Sequence, residues 1–366
     1  MATKRSRQKA KREIEKFAKK RPFVFFLIVV LVAVAVGVYY FWQKNKKDEP
    51  IITDDLQIHF LELGNGSSGD CTLIKTGDVE VLIDAGSSEG SAKTIVPYIQ
   101  QYCTNRELEY VIATHADADH IAAFVGTSSY DGVFESFDCK TIIDFPKTTK
   151  NTDLYNSYVA LRNAEVQAGA KHFTALQCWN NEGNGAQRSY TLSDGITLNI
   201  LYNKYYEEPT SKYDENNNSV CILISQGNNH YLFTGDLESG ESALVDNNDL
   251  PKCKLFKAGH HGSDTSNSDK LLEVIQPEYV AVNCAVDDKH GFPKQKFINN
   301  VAVWTDKVYV TTRATSDGFV PMNGTIVFTS DGTDLRVHCS NNDTVLKDTE
   351  WFQKNRDCPD AWKNVA

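Results

Sequence analysis

Four side chains that can bind a metal ion stand close together in the stretch Thr-His-Ala-Asp-Ala-Asp-His, residues 114–120. The β-branched run 110–113 precedes this stretch and the apolar run 121–125 follows it, so the pattern predicts a turn between a strand and a helix. Such a turn points alternate side chains into one cleft. A helix cap at Asp119 with solvated histidines is the simpler alternative, but this crowding of ionisable groups favours a metal site. The four residues are His115, Asp117, Asp119 and His120.

Three later segments also place polar, metal-capable residues directly after a predicted strand. In the first, Gly235 allows the backbone to turn so that the carboxylate of Asp236 can reach back over the end of the sheet. Each segment alone is typical of a surface turn, with Asp236 as a helix cap. Their shared position at strand ends favours a functional site, because sheet-based enzymes assemble their sites there. The candidates in the other two segments are Lys257, His260, His261 and His290.

The hydrophobic periodicity that must position these residues predicts groups of strands with helices between them. This order favours an α/β (α+β) fold of two sheets packed face to face and covered outside by helices. We expect one domain over residues 56–339 and leave the tail 340–366 without predicted elements. Predicted strands are 56–63, 71–74, 79–83, 110–113, 141–145, 196–202, 220–225, 231–234, 255–258, 279–284, 308–312, 325–329 and 335–338. Predicted helices are 91–102, 154–167, 238–245 and 268–275.

The N-terminal region is typical of a membrane signal anchor. Residues 22–42 contain no charged residue. This uncharged segment is long enough for a helix to cross a bilayer. The basic tail 1–21 carries ten Lys and Arg against two Glu, which predicts a cytoplasmic N-terminus and an extracellular domain after a linker over 43–55. A cleaved signal peptide is the alternative, but the apolar run exceeds the usual length and lacks a small-residue cleavage site. We therefore expect a single-pass cell-membrane protein.

Charge and cysteine content narrow the function classes. The whole chain carries −10 and residues 1–47 carry +11, so the remainder carries −21. Such acidity argues against a broad phosphate-binding surface and restricts any nucleic-acid contact to a local or metal-assisted one. The nine cysteines form no Cys-x-x-Cys pair, which argues against a thiolate metal site. Cys71, Cys221 and Cys284 lie in apolar runs, where buried free thiols are expected.

Taken in order, these motifs resemble the metallo-β-lactamase superfamily and, more narrowly, the hydrolase domain of the DNA-uptake protein ComEC. The resemblance covers residues 56–339. The superfamily motifs are Leu-Ile-Asp84-Ala-Gly, His115-x-Asp117-x-Asp119-His120, Phe-Thr-Gly-Asp236 and His260-His261-Gly-Ser. The narrower resemblance lies in the opening segments 59–64 and 70–74, the polar turn 217–220, the loop 290–293 and the closing strand 324–326.

The resemblance implies an αββα sandwich that binds two divalent metal ions, with Zn²⁺ expected and Mn²⁺ as its rival. His115 and Asp117 would hold one ion, and Asp236 would bridge the two. The expected ligands of the other ion are Asp119, His120 and one of the pair His260 and His261. Asp84 is expected to hydrogen-bond a ligand rather than bind metal.

Two departures from the superfamily pattern affect the first ion. Asp117 stands where a second histidine is common, as it does in the ComEC-like subgroup. The ligand histidine that usually precedes the bridging aspartate is missing, and Asn218 and Ser219 occupy the corresponding region. Both changes remove imidazole, which leaves occupancy of that position open and favours a harder ion such as Mn²⁺. A single anchor also differs from ComEC, which is a multi-span channel.

The resulting hypothesis is a membrane-anchored, outward-facing metallo-hydrolase that cleaves phosphodiesters, with single-stranded DNA as a candidate substrate. Hydroxide formed between the metal ions would attack phosphorus. Lys257 and His290 are candidates for phosphate contact or leaving-group protonation. The alternatives are hydrolysis of a small ester, a lactone or an envelope phosphodiester, and a surface binding module whose metal site has decayed. The sequence identifies no protein partner.

Overall fold

Two eight-stranded sheets form the centre of the described structure. The computed structural model describes residues 23–24, 56–208 and 215–363, of which those from residue 56 belong to one compact unit. The described strands are β1 (Leu56–Phe60), β2 (Thr72–Thr76), β3 (Val79–Ile83), β4 (Glu107–Ala113), β5 (Gly126–Thr127), β6 (Tyr130–Asp131), β7 (Asp138–Asp144), β8 (Lys171–Thr174), β9 (Ser189–Ser193), β10 (Ile196–Ile200), β11 (Ile222–Gln226), β12 (Asn229–Phe233), β13 (Leu255–Lys257), β14 (Tyr279–Val286), β15 (Val308–Thr315), β16 (Gly318–Pro321), β17 (Ile326–Ser330) and β18 (Leu335–Cys339). The described α-helices are α1 (Ala92–Tyr102), α2 (Ala118–Val125), α3 (Val133–Ser136), α4 (Asp153–Ala168), α5 (Ala175–Trp179), α6 (Glu241–Asn247), α7 (Asp269–Ile275), α8 (Gln295–Ala302), α9 (Glu350–Asn355) and α10 (Asp360–Lys363).

Each sheet contains a set of four parallel strands. Their orders are β18-β17-β1-β2-β3-β4-β7-β8 and β16-β15-β14-β13-β12-β11-β10-β9. In the first sheet β3, β4, β7 and β8 run parallel, and in the second β12, β13, β14 and β15 do. The carboxyl ends of parallel strands lie at the same edge of their sheet, where crossover folds bind ligands. Every strand that precedes a predicted site segment belongs to one of these parallel sets.

The two sheets pack face to face through aromatic side chains. Phe60 of β1 stacks on Phe233 of β12 with ring centroids 6.1 Å apart, and Phe328 meets Tyr279 edge to face at 5.5 Å. Strand β14 is buried along seven of its eight residues, as expected for a parallel strand covered on both faces. Truncating a buried ring such as Phe60 to alanine would cost about 3–5 kcal/mol of folding stability.

Helices cover the outer face of each sheet, so the predicted architecture of two sheets with outer helices is confirmed. Ile95 and Ile99 of α1 pack into the core of the first sheet. The segment after Cys339, for which the sequence predicts no element, buries Trp351, Phe352 and Trp362 against the second sheet.

The sequence analysis does not predict several short strands and helices, among them β8, β9, β16 and α8. Strand β16 is exposed along its whole length, so it has no alternating hydrophobic pattern. The predicted membrane anchor over 22–42 lies, apart from Phe23 and Val24, outside the described residues. Within the described ranges, no helix has the length and apolar composition needed to cross a membrane. All nine cysteines are free thiols, as expected for Cys71, Cys221 and Cys284.

Candidate metal centre

The turn between β4 and α2 carries the first half of the site. Strand β4 ends at Ala113, and α2 begins directly after Asp117. His115 and His120 are completely buried side by side, with ring centroids 4.1 Å apart. Asp119 lies in the first turn of α2, where a negative charge interacts favourably with the helix dipole.

Two residues from the second sheet complete a group that we call the ligand cluster: Asp119, His120, Asp236 and His261. One potential ligand atom from each of the four lies within 4.8 Å of all the others. His120 Nε2 and His261 Nε2 are 3.1 and 3.3 Å from Asp236 Oδ2. His261 Nε2 also lies 3.5 Å from Asp119 Oδ2. Asp236 is thus central to the cluster.

Hydrogen bonds at Nδ1 orient each buried histidine. The Nδ1 of His120 donates to the Asp84 carboxylate at 2.8 Å, and that of His261 donates to the Asn283 carbonyl oxygen at 2.8 Å. His115 Nδ1 lies 3.1 Å from the Thr114 hydroxyl, which donates to Asp84 and therefore accepts from the imidazole.

The opposite nitrogen, Nε2, has no hydrogen-bond partner in His115, His120 or His261, and the same is true of Asp236 Oδ1. Buried polar atoms without partners are rare in folded proteins. Imidazoles held at Nδ1, with Nε2 available beside carboxylates, have the usual arrangement of metal-ligating histidines. The residues therefore fit a divalent cation, and Asp119, His120, His261 and Asp236 would hold it.

Local backbone geometry positions Asp236 and His261. Gly235 has φ +54°, so the chain reverses directly after β12. The Asp236 N–H donates to the Ser219 hydroxyl at 3.0 Å. His260 and His261 have φ +49° and +53°, a left-handed conformation that two adjacent non-glycine residues rarely share. Strain of this kind is concentrated at functional sites.

The two adjacent histidines have different environments. His261 is buried within the ligand cluster. His260 lies at the edge of the cluster, where Nδ1 is 3.0 Å from Glu238 and Nε2 is 3.8 Å from Asp236. The pKa of Glu238 is lowered, first by its hydrogen bond with His260.

Asn218 and Ser219, which the resemblance assigns to the region of the missing ligand histidine, lie beside the same turn. Val220 donates its N–H to the Thr114 carbonyl oxygen at 2.9 Å, which joins this segment to the end of β4. Ser219 contacts Asp236 through its hydroxyl. Asn218 is buried, and both polar atoms of its amide lack a hydrogen-bond partner within the described part of the chain.

Lys257 lies beneath the ligand cluster rather than in the cleft. Its ammonium is buried and contacts Asp70 at 2.5 Å, while Asp70 Oδ1 lies 3.2 Å from His261 Nδ1. Burial opposes both charges, yet the pair holds the pKa of Lys257 above and that of Asp70 below its usual value. Asp70 was not among the site residues predicted from sequence, because it precedes β2 and does not follow a strand as the predicted residues do.

The carboxylates also dominate the electrostatics of the cluster. Burial by itself lowers the pKa of His120 and of His261. The carboxylates of Asp236 and Asp84 outweigh burial at His120, and those of Asp236 and Asp70 outweigh it at His261. Both pKa values are therefore raised well above the usual range. Burial likewise opposes the charge of Asp236, whose pKa is nevertheless held well below its usual value by these imidazoles. The cluster thus provides an environment that strongly favours positive charge.

Asp117 is not part of the ligand cluster. Its Oδ2 lies 3.8 Å from His115 Nε2, and its Oδ1 forms an ion pair with the ammonium of Lys150. Burial and the neighbouring His120 lower the pKa of His115. His115 and Asp117 therefore stand beside the cluster, with a lysine already paired to the carboxylate. Sequence reasoning gave no signal for Lys150, which lies in a Lys- and Thr-rich loop after β7.

An open cleft of about 630 Å³ gives access to the ligand cluster. His290 lies on the rim and stacks on Phe292, with ring centroids 5.4 Å apart and an interplanar angle of 7°. Among the described residues that line the cleft there is no large apolar side chain. The charged and imidazole groups in the lining are Asp117, Asp119, Asp236, His260, Asp288, Lys289 and His290.

Comparison with known proteins agrees with this geometry. Residues 64–126 match the family model described as the Metallo-beta-lactamase superfamily. Competence protein ComA of Neisseria gonorrhoeae is 24% identical over 259 residues, which cover 70% of this chain and 31% of the relative. The predicted resemblance to the metallo-β-lactamase superfamily and its ComEC-like members is confirmed. The two large sheets with outer helices are the architecture that this resemblance implies.

Further relatives give a similar result. ComE operon protein 3 of Bacillus subtilis is 24% identical over 56% of this chain and 24% of its own length. Recombination protein 2 of Haemophilus influenzae is 26% identical over 65% of this chain and 25% of its own length. The chain thus spans about a quarter to a third of these relatives. Among solved structures, the metallo-beta-lactamase fold protein YhfI of Bacillus subtilis is 11% identical, with a TM-score of 0.43 over 70% of this chain and 96% of its own.

Proposed function

We propose that the chain is a metal-dependent hydrolase that cleaves phosphodiesters. The observation that carries this proposal is the convergence of unpartnered Nε2 atoms with the carboxylates of Asp119 and Asp236 at the base of an open cleft. A divalent ion held there would supply Lewis-acid activation of water and of a phosphoryl oxygen. Asp84 and the Asn283 carbonyl fix the two ligand imidazoles before substrate binds.

The polar lining of the cleft argues against a lactone with an acyl chain. Pockets for such substrates need apolar walls, whereas this cleft is bounded mainly by charged residues and serines. Because four of the charged residues are aspartates, an anionic substrate would depend on the bound cation for its attraction. Lys289 and His290 on its rim can donate to phosphate oxygens, and His290 is our candidate for protonating a leaving group. Lys257, paired with Asp70 under the cluster, instead stabilises the position of His261.

DNA is the polymer that we propose as substrate, because the curated relatives are named competence and recombination proteins. The net charge of −21 after residue 47 limits favourable contact to the cleft and to the ion. We further propose that residues 22–42 anchor the chain in the cell membrane with the hydrolase domain outside. Protease treatment of intact cells tests this orientation, and a fully protected domain would contradict it.

The catalytic proposal is tested with the full-length chain in detergent. We expect metal-dependent hydrolysis of a chromogenic phosphodiester and of single-stranded DNA, lost with chelator and restored by Zn²⁺ or Mn²⁺. Asp236→Asn should lower kcat on the order of 10²-fold or more, while the control Asp246→Asn, an exposed residue paired with Lys270, should not. Turnover of a lactone alone would favour the small-ester alternative, and absence of both metal and turnover would refute the proposal.

A further inference from the structure

A lysine ammonium contacts Asp117, one of the two residues that the superfamily resemblance assigns to the first metal ion. Lys150 belongs to the loop between β7 and α4, and its ammonium pairs with Asp117. The two side chains are only 34% and 26% exposed, so this pair is shielded from water more than an ordinary surface pair.

The loop that carries Lys150 is fixed in place. The Lys150 N–H donates to the Thr148 hydroxyl at 2.9 Å, and the Thr149 N–H donates to the Glu215 carboxylate at 3.3 Å. Glu215 begins the short 3-10 turn that ends at Asn218. The backbone that carries Lys150 is therefore tied to the segment 215–218, and the ammonium reaches Asp117, which lines the cleft as Asn216 does.

The groups around Asp117 are poorly suited to a second divalent ion. His115 Nε2 and Asp117 Oδ2 are 3.8 Å apart, and neither residue belongs to the ligand cluster. An ion bound by this pair would share its one carboxylate with an ammonium. The ion and the ammonium would both lie against the Asp117 carboxylate and would repel each other. This repulsion is stronger in a half-buried site than in water.

We propose that the ligand cluster holds one divalent ion and that Lys150 supplies the second positive charge of the site. This inference rests on the proposed function. Its ammonium neutralises Asp117 and can donate to an anionic oxygen of the substrate at the mouth of the cleft. A lysine suits this task because it is a compact point charge with three donors and a common phosphate ligand. Asp117 then acts as a positioning residue for Lys150 rather than as a metal ligand.

The number of bound ions tests this inference independently of activity. The full-length chain is saturated with Mn²⁺ and desalted, and the ions per chain are counted by mass spectrometry. Electron paramagnetic resonance then distinguishes an isolated ion from a spin-coupled pair. We expect one isolated Mn²⁺ in the wild type and in Lys150→Arg, and two coupled ions in Lys150→Gln. The matched control is Lys147→Gln, from the same loop, because the Lys147 ammonium contacts the Glu207 carbonyl oxygen and, among the residues that the structure describes, pairs with no carboxylate.

Each outcome bears on a different proposal. Two coupled ions in the wild type, or a single ion in Lys150→Gln, would overturn the role of Lys150 while leaving a metallo-hydrolase intact. Absence of bound ion in every variant, with unchanged thermal unfolding, would overturn the proposed function and this inference with it. A control that gains an ion would show that loop charge in general, rather than Lys150, sets the stoichiometry.

Discussion

Asp84 accepts the Nδ1 proton of His120 at 2.8 Å, across a separation of 36 residues in the sequence. The Thr114 N–H and hydroxyl donate to the same carboxylate at 2.7 and 2.8 Å. Asp84 therefore joins the ends of β3 and β4 and fixes the tautomer of the imidazole. With Nδ1 protonated, His120 presents the Nε2 lone pair to the ligand cluster.

Replacing Asp84 by asparagine should weaken metal binding without removing a ligand. The asparagine keeps one oxygen for Thr114 but presents an N–H₂ group towards His120, which disfavours the tautomer that binds metal. Partners of this kind typically contribute about 10- to 100-fold to metal affinity. Competition with a fluorescent chelator measures the loss, and Asp131→Asn, an exposed aspartate outside the cluster, is the control. Equal affinity in both variants would contradict the role of Asp84.

Gly235→Ala should be more destabilising than a glycine substitution at equal φ elsewhere. A Cβ at Gly235 would lie 2.7 Å from the Ser219 hydroxyl oxygen and 3.0 Å from Thr114 Cβ. Gly77 has φ +55° with no atom near its Cβ position, so Gly77→Ala isolates the backbone strain, about 1 kcal/mol. In urea unfolding, the free energy of unfolding should fall by at least about 1 kcal/mol more in Gly235→Ala than in Gly77→Ala, because Thr114 and Ser219 must move.

Loss of metal affinity should accompany the loss of stability only in the Gly235 variant. The substitution moves the backbone that places the Asp236 carboxylate between His120 and His261. Two variants that unfold at the same urea concentration would show that the close approach at Gly235 is relieved without cost.

The sequence predicts the strand ends but not how they meet. Apolar runs predict β4 and β12, and the polar residues that follow them identify His115 and Asp236, because both signals are local. Contacts between the sheets have no such signal. The pairing of Asp70 with Lys257 joins residues far apart in the chain, and Lys150 reaches Asp117 from a loop whose composition suggests only solvent exposure.

The choice between His260 and His261 also needed the structure. Two adjacent histidines are equivalent in a motif, but the left-handed backbone of the turn directs one ring into the cluster and the other towards Glu238. The role of the C-terminal segment was undetectable for a related reason. Its buried Trp351 and Trp362 are isolated along the chain and form no periodic pattern that would predict helices.

A buried histidine on the first sheet should make the protein acid-sensitive. Burial, with a smaller effect of Lys75, lowers the pKa of His59 to about 3. Its Nδ1 accepts from the Tyr98 hydroxyl at 2.7 Å and its Nε2 donates to Gln57 at 3.1 Å, which suits the neutral ring. The folded state thus binds fewer protons than the unfolded state between pH 3 and 6.5.

Stability should therefore decrease as the pH falls through this window, on the order of 3–5 kcal/mol when the window is crossed completely. Thermal unfolding of His59→Gln should show a weaker dependence on pH between 6.5 and 4, whereas His338→Gln, at an exposed histidine of β18, should follow the wild type. Parallel curves for wild type and His59→Gln would mean that other groups cause the acid sensitivity.

The C-terminal segment should control the mobility of the loop that carries His290. Arg356 donates from Nη2 to the Gly291 carbonyl oxygen at 3.0 Å, and from both Nε and Nη2 to that of Pro293 at 3.0 Å. Arg356→Gln removes the charged fork that holds both carbonyls. We expect faster hydrogen exchange across 288–294 and a higher KM for a phosphodiester, with metal affinity unchanged because the ligand cluster is not contacted. Lys354→Gln is the control, since that exposed side chain pairs with Glu350 and with no other carboxylate of the described residues. Equal exchange in both variants would rule out the link between Arg356 and the cleft.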